Sequence, residues 1–151
     1  MNPLVDAIAH AIATMEGFYV PGSLAQRNNN PGNLRNWGSL PTNSGYAVFP
    51  TVEQGWAALK RQVKLNIGRG LNLYEFFGGK PGTYAGYAPA ADNNRPNQYA
   101  EFVAGRVGID PTEPLTKFSQ GGTPPPPPPS GRCPFCRSQV APRKPAQGAQ
   151  W

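Results

Sequence analysis

The chain of 151 residues is short of the residue types on which most site chemistry relies. It has one histidine, His10, which excludes His-rich metal chemistry and a good Ser-His-Asp triad. Its two cysteines, Cys133 and Cys136, lie three positions apart and cannot staple a fold. No apolar run approaches the roughly 20 residues of a membrane span. No basic residue precedes Arg27, so Leu4 to Ile12 is not flanked as a secretory signal would be. Acids are scarce as well: there are eight, all within residues 1–118. An enzyme of this composition would do its acid–base work with those few carboxylates.

What is present is unevenly distributed. Residues 1–118 hold ten bases against the eight acids, whereas residues 119–151 hold four bases and no acid. Nine of the 19 prolines lie in that last stretch, six of them in the run Pro124 to Pro129. At 38% hydrophobic and 11% aromatic residues the chain can bury a core. Three parts follow: a globular domain over 1–118, a disordered Pro-rich linker over 119–131 that favours polyproline II, and a short basic tail over 132–151.

Within the domain the reading is mainly α, an α+β fold with four helices, long polar loops and a small β-hairpin. Asn2 and Pro3 start the first helix as N-cap and first helical residue, and Leu4, Ile8, Ala11, Ile12 and Met15 form its apolar stripe. Leu34 to Trp37 and Tyr46 to Phe49 are the expected hairpin strands. Thr51 with Gln54 opens a second helix striped by Val52, Trp56, Leu59, Val63 and Ile67, with Trp56 in the core. Asn72 with Glu75 opens a third, and Asn97 caps a fourth that Gly108 closes. His10 is expected on the surface, without a role.

Glu16 is the carboxylate placed for chemistry. At about 100° per residue it lies beside Ile12 and roughly 80° from Ile8, at the border of the apolar stripe. It also sits in the last helical turn, where the helix dipole opposes a negative charge. Both effects are expected to favour the protonated carboxyl, as a general acid requires. Gly17 lets the chain turn away and leaves room for a ligand. Helix phase alone fits an ordinary surface Glu near a helix end equally well.

The surrounding residues sharpen the choice. Glu16-Gly17-Phe18 precedes Arg27-Asn28-Asn29-Asn30-Pro31-Gly32-Asn33-Leu34-Arg35, then Tyr46-Ala47-Val48-Phe49 and the segment Thr51 to Leu59. Tyr87-Ala88-Pro89, Asp92-Asn93-Asn94, Tyr99-Ala100 and Val107-Gly108-Ile109 follow. Over about residues 3–118 this series resembles the lysozyme-like, lytic-transglycosylase-type muramidase domains of phage virion proteins and mobile elements. It is similar, more distantly, to goose-type lysozymes and bacterial glucosaminidases. The resemblance implies a lysozyme-like fold, peptidoglycan glycan strands as substrate, and Glu16 as the catalytic acid that cleaves the β-1,4 bond without a cofactor. A non-catalytic peptidoglycan-binding or virion structural module of the same fold is the alternative.

An inverting hydrolase needs a second carboxylate, whereas a lytic transglycosylase uses the sugar's own 6-hydroxyl and needs none. Glu53, Glu75 and Asp92 are the candidates for a second acid. Glu53 suits the first turn of its helix, Glu75 suits a capping partner of Asn72, and Asp92 lies in a loop; the single-Glu reading is favoured. Asn29, Pro31 and Gly32 read as turn-formers. Asn30, Asn33, Tyr46, Tyr87 and Asn94 are the expected substrate-binding residues, Asn93 accompanies Asn94, and Trp37 is a candidate subsite residue.

Cys133-Pro134-Phe135-Cys136 supplies two of the four ligands of a structural zinc site, so either a zinc shared with a partner or no metal is open. The tail's charge suits attachment to virion or wall components. The near balance of the body argues against specific nucleic-acid binding. With no signal sequence expected, action at the bacterial wall would require virion delivery or release from the host cytoplasm.

Overall fold

A computed structural model describes residues 3–35, 37–89 and 94–119. Asn2, Asp92, Asn93, the proline run, Cys133 and Cys136 lie outside the described residues. The described chain is mainly α, with one two-stranded antiparallel sheet. No helix among the described residues is long and apolar enough to cross a membrane.

Helix α1 (Pro3–Met15) buries the expected stripe and also Val5, Ala9 and Ala13. It loses most of its polar face because it packs against both α3 (Val52–Gly68) and α5 (Pro96–Val107). Asp6 and His10 keep the open side. Asp6 pairs with Lys60 at 3.1 Å. The His10 Nδ1 lies 2.9 Å from the Tyr19 hydroxyl, and its ring centroid is 4.6 Å from that of Trp56. Trp56 is half-buried at the rim of the core, not at its centre.

Local sequence signals set most helix ends. Thr51 caps α3, its side chain accepting from the Gln54 N–H at 3.2 Å. Asn72 and Glu75 form a full capping box at α4 (Leu73–Gly78), with reciprocal bonds of 2.8 and 3.0 Å. Gly108, at φ 84°, closes α5. The start of α5 differs from expectation: Arg95 is the N-cap without a side-chain bond and Pro96 begins the helix, so Asn97 is not a cap. Proline at the first helical position has no N–H to satisfy and a preset φ, which makes a side-chain cap dispensable. Two single-turn helices, α2 (Leu24–Arg27) and α6 (Thr116–Ser119), are too short to leave an apolar period.

The hairpin pairs β1 (Thr42–Asn43) with β2 (Tyr46–Ala47), in the register Thr42 to Ala47 and Asn43 to Tyr46. The second strand covers the first two residues of the expected Tyr46 to Phe49; the first strand is nearer in sequence than Leu34 to Trp37. Ser44 and Gly45 have φ of 56° and 85°, the two positive values a tight two-residue hairpin turn needs. Leu34 still runs beside β2, where its carbonyl accepts from the Ala47 N–H at 2.9 Å.

The asparagine-rich loop ties these parts together. The Asn28 carbonyl accepts from the Phe49 N–H at 2.9 Å, and the Asn29 side chain donates to the Phe49 carbonyl at 3.0 Å. The same loop presses on α3 at Gly55. Gly→Ala in a helix interior ordinarily gains about 0.5–1 kcal/mol. At Gly55 the added Cβ would lie 1.9 Å from the Asn29 carbonyl oxygen. Gly55→Ala is therefore expected to lose about 1–3 kcal/mol, read as a lower urea midpoint at unchanged slope.

Candidate active site

Glu16 owes its position to the way α1 ends. The Gly17 N–H bonds to the Thr14 carbonyl at 3.2 Å, and the Phe18 N–H bonds to the Ala13 carbonyl at 3.0 Å. With Gly17 at φ 77° these two bonds are a Schellman cap, which makes Glu16 the C-cap residue. The chain then leaves the helix axis at once. A Cβ built on Gly17 would meet no atom within 4 Å, so the space beside Glu16 is open at that point. Glu16 itself is only 1% exposed, far more enclosed than helix phase suggested, and it is the only buried acid among the described residues.

Asn33 holds the carboxylate. Its Nδ2 donates to Glu16 Oε1 at 3.2 Å, from a backbone in the left-handed region at φ 47°. Asn tolerates that conformation better than most residues, which fixes its side chain toward the helix end. Asn33 is fully buried, and its Oδ1 accepts from no donor among the described residues. The pair thus carries a buried acceptor, without a donor among the described residues, next to the acid.

Tyr87 approaches from the segment after α4, where its N–H and that of Ala88 bond to the carbonyls of Phe76 and Phe77. Its hydroxyl donates to the Gly32 carbonyl. Burial pushes the Tyr87 hydroxyl well above the usual phenol value, and the Glu16 charge adds to that. Tyr87 therefore stays protonated, a donor that locks Gly32 and with it the turn leading to Asn33. Gly32 has no room for a side chain: a Cβ there would lie 2.6 Å from the Tyr87 oxygen.

Other expected site residues fall elsewhere. Asn30 is bound into the fold through its whole amide. Its Nδ2 donates to the carbonyls of Leu34 and Ala47, and its Oδ1 accepts from the Leu34 N–H, each at 2.9 Å. Both amide hydrogens are used inside the fold and the residue is fully buried. Asn94 donates to the Pro89 carbonyl at 3.4 Å. Tyr46 is 6% exposed, with the Arg35 guanidinium 4.8 Å above its ring. Trp37 lines an open groove of about 380 Å³ with Leu40, Phe49, Ala58 and Arg61, whose walls include none of Glu16, Asn33 or Tyr87.

The remaining described acids are accounted for by surface or capping roles. Glu75 completes its capping box, Glu113 pairs with Lys117 at 3.3 Å, and Asp110 accepts from Thr112. Glu101 accepts from the Tyr74 hydroxyl at 3.2 Å, and Glu53 is exposed in the first turn of α3.

Sequence reasoning missed a buried polar cluster on α3. Gln62 and Asn66 are fully buried, Arg69 donates to Asn66 Oδ1 at 2.5 Å, and Arg69 stacks 4.9 Å from the Tyr84 ring. Burial pushes the Tyr84 hydroxyl up to about 12. Gln62 and Asn66 are one turn apart and flank Val63 and Ile67, so their spacing could have marked them as facing inward. The chain has no match among protein-family models, curated proteins or solved structures.

Asn30 and Tyr87 are bound into the fold to different degrees. Asn30→Ala removes three bonds to backbone and is expected to cost about 2–4 kcal/mol, whereas Tyr87→Phe removes one and should cost about 1–2 kcal/mol. Urea denaturation of the two variants measures both. An Asn30→Ala loss no larger than that of Tyr87→Phe would contradict this division.

Proposed function

We propose that the domain cleaves the β-1,4 glycosidic bond of peptidoglycan glycan strands, with Glu16 as general acid and then general base. The observation that carries this reading is a buried carboxyl group at a helix end, alone of its kind among the described residues and held by an amide whose own buried oxygen has no donor. A carboxyl removed from water favours its neutral form, the state that protonates a leaving oxygen. Asn33 Oδ1 can take a hydrogen bond from a sugar hydroxyl or an acetamido N–H, which orients the bond to be cut. A sugar would reach the acid where the chain turns away at Gly17, on which a Cβ would meet no atom beyond its chain neighbours within 4 Å.

The single-Glu form of the reaction fits best. Glycosidases of the two-carboxylate type place the groups roughly 5–9.5 Å apart. The other described acids occupy surface and capping positions. In the transglycosylase sequence Glu16 first gives its proton to the departing glycosidic oxygen. The 6-hydroxyl of the same muramyl sugar then attacks its own anomeric carbon and loses its proton to Glu16. The product carries a 1,6-anhydro ring and the enzyme is restored.

The 1% exposure of Glu16 also favours a second reading, a binding module in which the Glu16–Asn33 bond is purely structural. Glu16→Gln separates the two, because glutamine keeps the shape and the acceptor for Asn33 Nδ2 but cannot deliver the proton. Loss of general acid catalysis is worth about 10²–10⁴-fold, so muropeptide release from sacculi should fall by at least about 10²-fold at an unchanged melting temperature. Undiminished release by Glu16→Gln would rule out the catalytic role.

A further inference from the structure

Arg35 stands two residues beyond Asn33, so its Cα lies within about 7 Å of the one that carries the Glu16 ligand. Its starting point is fixed, because Leu34 is fully buried and bonded through both backbone groups to Asn30 and Ala47. The guanidinium carbon lies over the Tyr46 ring, 4.8 Å from its centroid. The hairpin tip makes room for it: a Cβ on Gly45 would sit 2.9 Å from Arg35 Nη1. Yet the Nε of Arg35 is buried and meets no acceptor among the described residues. No described carboxylate pairs with this guanidinium: the ion pairs join Lys60 to Asp6, Lys80 to Glu75 and Lys117 to Glu113.

Arg69 shows what a satisfied version looks like. It stacks on Tyr84 at 4.9 Å and also donates to Asn66. Arg35 has the stacked ring without the acceptor. A guanidinium stacked over a ring with its Nε unanswered can serve as a fork for a planar anion. It lies on the hairpin side of the Glu16–Asn33 pair.

We propose that Arg35 binds a carboxylate of the substrate, one borne by the peptide stem on alternate sugars of the glycan strand. This rests on the peptidoglycan reading above: where a stem is attached, the muramyl lactyl carboxyl is taken up in its amide bond, and the stems carry free carboxylates at regular intervals. Arg35 thereby makes the site selective for peptide-bearing strands over neutral β-1,4 glycans.

The test uses the full chain and sacculi stripped of phosphate polymers, so that phosphate cannot stand in for carboxylate. One half is left native and the other has its carboxylates converted to methylamides. Charge-assisted bonds to a carboxylate are worth a factor of about 10 or more, so amidation should slow the wild type about tenfold. Arg35→Gln should lose about the same factor on native sacculi and nothing further on amidated ones. Arg35→Lys, which keeps the charge but not the fork, should fall between and carries the comparison if Arg35→Gln does not fold. Equal losses on both substrates, or no loss on native sacculi, would overturn the assignment. If the wild type releases nothing from either substrate, the cleavage reading fails. Co-sedimentation then decides Arg35 alone: tighter binding of wild type to native than to amidated sacculi, abolished in Arg35→Gln, supports it, and equal binding overturns it.

Discussion

The hydrogen bond from Asn33 to Glu16 joins the two halves of the structure. On one side is α1, packed between α3 and α5 and stopped by a Schellman cap at Gly17. On the other is an irregular loop that carries the hairpin and presses on the start of α3. A carboxylate at a helix C-terminus faces the negative end of the dipole, and burial removes its water as well. Such a group persists only where something holds it, and Asn33 donates to it directly. The loop's own bonds, from Asn28, Asn29, Asn30 and Tyr87, fix where Asn33 can be.

This dependence gives the asparagine run a divided meaning. Asn29 and Asn33 both take positive φ, which asparagine tolerates and most side chains do not. Asn29 and Asn30 use their amides to replace strand or turn bonds that this short hairpin cannot supply. Only Asn33 turns its amide toward the acid. In sequence the four are nearly interchangeable, because turn formation and ligand binding call on the same amide chemistry. The burial of Asn30 and its three bonds assign it to the scaffold, a distinction that residue type alone does not make.

The helices were legible for local reasons. Thr51, Asn72 and Gly108 act within one turn of their own position, so their caps can be read without the fold. Glu16 was legible in the same way, through its place beside Ile12 and before Gly17. What was not legible depends on contacts between distant segments. The first hairpin strand is chosen by the Ser44-Gly45 turn and by Asn28 and Asn30 reaching across to the strands. The partner of the buried Glu16 is Asn33, 17 residues away in the sequence, on a turn that Tyr87 holds through Gly32. Arg35 and the Gln62–Asn66 pair are polar residues whose surroundings only the folded chain reveals.

Scarcity of acids shapes the chemistry as much as geometry does. On the proposed reading, with the other described carboxylates in surface or capping roles, Glu16 serves both proton transfers and the substrate supplies its own nucleophile. The most direct measurement is the mass of the muropeptides that the wild-type chain releases from purified sacculi. The single-carboxylate account predicts 1,6-anhydro ends, lighter by one water than hydrolytic products. Reducing ends throughout would contradict it, because they require a second group to activate water.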